Sequence, residues 1–321
     1  MAVQLYVCQG LGTESGLGRI IRVERMQPTG QSYELSHGNQ RAVVVQQGAT
    51  LRSYSVDGVE VLAGFGADQL PDGCQGQHLM PWPNRIRDGR YLFEGSSHQL
   101  PLNEPGRGNA IHGLVSWLGF EVTEQTPSSV TQRVLLLPRP GWPGVCECTV
   151  RTSLSDQGLQ VEVACHNLGE HSFPFGYAAH PYLRLPTGTA DEWGLCLPFE
   201  QWLETDERLL PISLHPTAGT EADFRAARAL SGQRLDTAFT EPVGGAGWEA
   251  SITHGGRRIV LWADDSMRWA QVYTPGEASI AVEPMSVGPD AFNPGPTHHD
   301  LTVLAPGQRA RHRWGLRAEA L

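Results

Sequence analysis

Apolar and polar residues alternate with a period of two along much of this chain. Leu51-Arg-Ser-Tyr-Ser-Val56 runs into Asp57-Gly58 and returns as Val59-Glu-Val-Leu62. Asp-Gly between short β-rich runs predicts a hairpin, since both residues tolerate the left-handed turn conformation. Asp88-Gly89, ahead of Arg90-Tyr-Leu-Phe93, predicts a second. Further on, Val150, Thr152 and Leu154 alternate with polar residues, Asp156-Gln-Gly158 turns the chain, and Leu159, Val161, Val163 and Cys165 alternate back. Ser251-Ile-Thr-His254 meets Gly255-Gly256 and continues as Arg257-Arg-Ile-Val-Leu-Trp262. Each run predicts a strand with one face buried. Helical spacing is confined to residues 221–230, where Phe224, Ala227 and Leu230 predict one short helix. The expectation is an all-β protein, one large antiparallel β-sandwich spanning residues 1–321 as a single domain. Residues 1–25 are weakly patterned and are expected to form an appended N-terminal arm.

Composition narrows the function classes. Lys and Arg number 24 against 34 Asp and Glu, a net charge of −10. Such a chain repels phosphate backbones and anionic lipid, so neither a nucleic-acid nor a membrane partner is expected. No signal-like segment opens the sequence, which predicts a cytoplasmic protein. The 6 cysteines are dispersed without a Cys-x-x-Cys pair. Cys146 and Cys148, two apart on a predicted strand, share a face, a poor start for a disulfide or tetrahedral zinc. Buried, reduced thiols are expected.

Candidate chemistry concentrates in segments where rare polar types mix with glycine, proline and aromatics. The first is Leu79-Met-Pro-Trp-Pro-Asn-Arg-Ile-Arg-Asp-Gly-Arg90, followed by Asn109-Ala-Ile-His-Gly-Leu-Val-Ser-Trp117. The second is Phe175-Gly-Tyr-Ala-Ala-His-Pro-Tyr-Leu183, and the third Val282-Glu-Pro-Met-Ser-Val-Gly-Pro-Asp-Ala-Phe-Asn293. Leu235-Asp-Thr-Ala-Phe239 lies between the last two. His298-His299-Asp300 imitates a metal site, but adjacent histidines on an extended chain point apart. Gly10-x-Gly12 has no preceding apolar strand and no following helix, so it does not predict a phosphate loop. No Gly-x-Ser-x-Gly nucleophile elbow occurs.

Taken in order, these segments resemble the aldose 1-epimerase (galactose mutarotase-like) family, from about Tyr33 to near the C-terminus. The resemblance implies a large β-sandwich, the supersandwich of that family, and interconversion of the α and β anomers of a free aldohexose such as glucose or galactose. It implies Glu283 as general base, His180 as general acid and His112 as an assistant on the ring-oxygen side. Arg85 and Asp236 would hold sugar hydroxyls, with Asn84 beside them, and Trp82, Tyr182 or Trp117 would lie against the apolar face of the pyranose. Ring opening needs one base and one acid, and so no metal or organic cofactor. The expected partner is a small sugar, and the expected state a monomer or homodimer. The chain departs from the family pattern at Leu114, at Pro181-Tyr182-Leu183 and at Pro284-Met285, which reshapes the pocket wall and leaves acid and base in place. Arg85, Arg87 and Arg90 keep open a sulfonated or 6-phosphorylated sugar. A non-catalytic carbohydrate-binding or sugar-sensing module is the alternative from another class. A glycoside hydrolase or polysaccharide lyase would need a longer cleft.

Overall fold

The structure, a computed structural model, describes residues 26–245 and 247–320; the predicted N-terminal arm and Gly10-x-Gly12 lie outside them. The described chain is all β. A nine-stranded antiparallel sheet runs, in spatial order, through Glu121–Thr126, Ser129–Leu136, Cys146–Ser155, Gly158–Asn167, Arg309–Ala320, Arg257–Ala263, Trp248–His254, Gly194–Cys196 and Arg228–Ala229. An eight-stranded sheet carries Pro211–Pro216, Phe199–Thr205, Asp236–Pro242, Trp269–Tyr273, Ile280–Met285, Ala178–Ala179 and His78–Leu79, with Tyr182–Leu183 also paired to Ile280–Met285. Four further strands, Ser32–His37, Gln40–Val45, Leu51–Val56 and Val59–Glu60, form a smaller sheet whose apolar residues join the main core. No helix among the described residues is long and apolar enough to cross a membrane.

The predicted alternation is realised most fully in the nine-stranded sheet. Cys146–Ser155 and Gly158–Asn167 pair residue for residue around the Asp156-Gln157 turn, burying every second side chain. Gly255-Gly256 likewise joins Trp248–His254 to Arg257–Ala263, and Asp57-Gly58 joins Leu51–Val56 to Val59–Glu60. Asp88-Gly89 turns the chain without making the predicted hairpin. The strand before it, Arg85–Arg87, pairs with Asn109–Ile111, and the strand after it, Arg90–Phe93, pairs with Ser96–Gln99. Cys146, Cys148 and Cys165 are buried together on the nine-stranded sheet as free thiols.

Residues 221–230 are not helical. Phe224 anchors in the core, the Arg228 guanidinium stacks 3.9 Å from its ring centroid, and that guanidinium donates to the carbonyls of Glu221 and Asp223. Carbonyls that a helix would have used are thereby taken, and Arg228–Ala229 pairs with Gly194–Cys196 as the edge strand of the sheet. His298–Asp300 forms a single 3₁₀ turn in which Asp300 accepts a hydrogen bond from Trp269 Nε1 at 2.7 Å.

The eight-stranded sheet is covered on both faces, and Ile280–Met285 is buried at all six positions. One face, with Val272, Val282 and Phe239, belongs to the main core. The other carries a small apolar cluster of Leu79, Ala178, Leu203, Ala238, Trp269 and Met285. Polar residues share that second face by strand register: Glu283 lies opposite Gln271, and Asp236 opposite Tyr273.

Candidate active site

Proline and strand register bring His180 to Glu283. Ala178 pairs with Met285 and Tyr182 with Ala281, so the residue midway, His180, lies opposite Glu283. Pro181 lacks an N–H and interrupts the ladder there, leaving His180 between two short strands. His180 Nε2 sits 3.3 Å from Glu283 Oε1. Tyr182 stacks on the imidazole at 5.0 Å between centroids and is itself held by a 2.7 Å bond from its hydroxyl to the Gly73 carbonyl. Glu283 is not at the end of its apolar run: the strand continues to Met285, so the carboxyl projects from mid-strand.

His112 follows the strand Asn109–Ile111 on a left-handed turn. Its φ is +63°, and its N–H donates to the Asn84 carbonyl at 2.9 Å. Gly113 follows with φ +72°, and a Cβ there would lie 2.2 Å from the Met80 carbonyl oxygen. The His-Gly pair is thus a packing requirement as much as a chemical one. The His112 ring meets the His180 ring edge to face at 5.6 Å.

Asn84 Oδ1 accepts from Arg85 Nη1 at 3.2 Å, and its Nδ2 donates to Gln271 Oε1 at 3.3 Å. Gln271 Nε2 in turn donates to Asp236 Oδ1 at 2.6 Å. Arg85, nearly buried, directs Nε and Nη2 onto the carboxylate of Glu104. The structure therefore gathers Glu283, His180 and Tyr182 around one centre, with His112 beside His180. Through Gln271 it links Asn84, Arg85 and Asp236 to the same sheet face. Trp82 is buried edge-on to Phe292, whereas Trp117 is 56 % exposed. Sequence reasoning missed Gln271 and Glu104. A glutamine at a core position of Trp-Ala-Gln-Val-Tyr was the available signal for the first; the second gave none, being one acid in a polar loop.

Three buried atoms at this centre have no hydrogen-bond partner: Glu283 Oε2, His180 Nδ1 and His112 Nδ1. Buried polar atoms left unpaired cost stability, and their concentration marks a place for a polar ligand. Burial pushes the Glu283 carboxyl well above its usual range; the Asp236 charge adds to this and Arg85 partly opposes it. Burial pulls His180 down to about 4. His112 falls well below an ordinary histidine for the same reason, helped by the charges of His180 and Arg85. Burial disfavours the charged form of each member of the pair. Such a pair can take a proton at one oxygen and deliver one from a nitrogen 3.3 Å away. The only group of three or more possible metal ligands among the described residues is Cys146, Cys148 and Cys165, on the other sheet.

Comparison with known proteins bears on the family and the fold. The chain is 34% identical over 296 residues to the uncharacterized protein YihR of Escherichia coli (strain K12), covering 91% of this chain and 94% of that one. It is 28% identical over 152 residues to the galactose mutarotase of Rattus norvegicus, covering 44% of this chain and 42% of that protein. The crystal structure of a galactose mutarotase-like protein from Clostridium acetobutylicum superposes with a TM-score of 0.80 at 16% identity, over 90% of this chain and 95% of that one, a likeness of fold. The aldose 1-epimerase family model matches residues 31–317, and the chain belongs to that family.

Proposed function

We propose that the protein is a cofactor-independent mutarotase that interconverts the α and β anomers of a free aldohexose. The observation that carries this reading is the buried His180–Glu283 contact, whose outer atoms lack partners. Glu283, as carboxylate, removes the proton from the anomeric hydroxyl, while His180, as imidazolium, protonates the ring oxygen. The C1–ring-oxygen bond breaks and an aldehyde forms. Rotation about C1–C2 presents the other carbonyl face, and the transfers run in reverse. With one proton shared between the two groups, the active form is Glu283 as carboxylate and His180 as imidazolium. His112 assists at the ring oxygen. Arg85, Asp236 and Asn84 hold hydroxyls, and Tyr182 and Trp82 supply apolar surface for the ring.

Magnetisation-exchange NMR on equilibrated sugars tests the proposal, with a panel of glucose, galactose, other aldoses, a sulfonated sugar and hexose 6-phosphates. Enhanced α-to-β exchange that disappears in Glu283→Gln supports it and names the sugar class. Sugar affinity without exchange would leave a binding module instead.

A further inference from the structure

The charge of Arg85 reaches both Glu283 and His112, and its orientation is fixed from outside the sugar centre. Its Nε lies 3.0 Å and 3.2 Å from the two oxygens of Glu104, and its Nη2 lies 3.0 Å from one of them. With Nη1 on Asn84, all three guanidinium nitrogens are engaged and the plane of the group is set. Glu104 does not stand alone. Asn109 Nδ2 donates to it at 3.0 Å and Arg107 Nη1 at 3.1 Å. Its backbone is bridged to that of Asn109 in both directions. Arg208, from the turn between Phe199–Thr205 and Pro211–Pro216, then locks this loop by donating to the carbonyls of Arg107 and Gly108, to Asn109 Oδ1 and to Asp88 Oδ1. Burial alone would raise the Glu104 carboxyl, but the hydrogen bonds from Arg85, Asn109 and Arg107 outweigh it and hold the group ionised.

We propose that Glu104, carried on this locked loop, is the positioning residue that aims Arg85 at a sugar hydroxyl and balances its charge. The inference rests on the mutarotase reading above and adds a residue to it. Glu104 touches no reacting atom; it acts through Arg85. A bidentate carboxylate removes the rotational freedom that a buried arginine would otherwise lose on binding sugar, so it works mainly on affinity.

The test compares wild type, Glu104→Ala, Glu104→Gln, Arg85→Ala and the Glu104→Ala/Arg85→Ala double variant. KM and kcat for anomer exchange are measured alongside the solvent-exchange rate of the Arg85 Nε–Hε signal by ¹⁵N NMR. In Glu104→Ala, KM should rise about tenfold while kcat changes by less than about threefold, and the protected Hε signal should be lost. The double variant should be no worse than Arg85→Ala alone, because both changes disable one unit. Glu104→Gln, which keeps the shape and one acceptor oxygen, should fall between wild type and Glu104→Ala, and it carries the test if Glu104→Ala does not fold. A protected Hε signal persisting in Glu104→Ala, an unchanged KM, or additive losses in the double variant would overturn the proposal. If wild type exchanges no sugar, the mutarotase reading fails, and the Hε signal alone decides whether Glu104 fixes Arg85.

Discussion

The two large sheets solve different problems with the same strand geometry. In the nine-stranded sheet, long neighbouring strands alternate buried and wetter positions, and sequence neighbours pair through tight turns. In the eight-stranded sheet, His180 sits between two buried strands of two residues each, whose partners come from distant parts of the chain. The first sheet places apolar atoms where water is excluded, which stabilises. The second places a carboxyl and an imidazole there without full partners, which costs stability. The difference teaches that one region holds the fold so that the other can be held in a disfavoured state.

Substitutions should therefore separate rate from stability. Glu283→Gln should lower kcat by roughly 10²–10⁴-fold, and its melting temperature should equal or exceed that of wild type, since an amide that cannot ionise replaces a buried carboxyl whose Oε2 has no partner. Thermal unfolding beside exchange NMR checks both halves. Leu316→Ala, fully buried on Arg309–Ala320, should do the reverse. It should cost about 2–5 kcal/mol of stability in urea titration and leave exchange per folded molecule unchanged; a lost rate in a folded variant would blur the contrast.

The pH profile sharpens it further. The pair works while it holds one proton, so kcat/KM should fall as pH drops through about 4, where His180 gains a second proton. It should also fall once pH rises far enough for Glu283, whose carboxyl burial raises well above its usual range, to give up the proton the pair shares. The smallest effect is expected at Trp117, more than half exposed. Trp117→Ala should change stability by less than about 0.5 kcal/mol and the rate by less than about twofold.

What could be read in the sequence follows the same division. Alternation and turn residues announce the nine-stranded sheet because its partners are near in sequence and one side chain in two meets the core. The eight-stranded sheet gives weak period-two signals: Ile280–Met285, buried on both faces, has none to offer. His180, Glu283 and His112 were recognisable only through the ordered set of segments around them, and the structure shows why those segments look as they do. Pro181 breaks a ladder and Gly113 avoids a carbonyl. The predicted helix at 221–230 failed because a single guanidinium satisfied carbonyls that spacing alone assigns to helical bonds. Glu104 was illegible since its meaning lies in Arg85, 19 residues earlier.

The strand Arg309–Ala320 occupies the middle of the nine-stranded sheet, between Gly158–Asn167 and Arg257–Ala263. It is also the last described strand to leave the ribosome. At a synthesis rate of about 5–20 residues per second, the hairpin ending at Asn167 must wait several seconds with a bare edge of backbone donors and acceptors before its neighbour exists. The nascent chain therefore exposes two open sheet edges at once, each able to pair with another copy of itself. During synthesis the demand on chaperones should peak late, and a chain stopped short of residue 309 should aggregate instead of waiting.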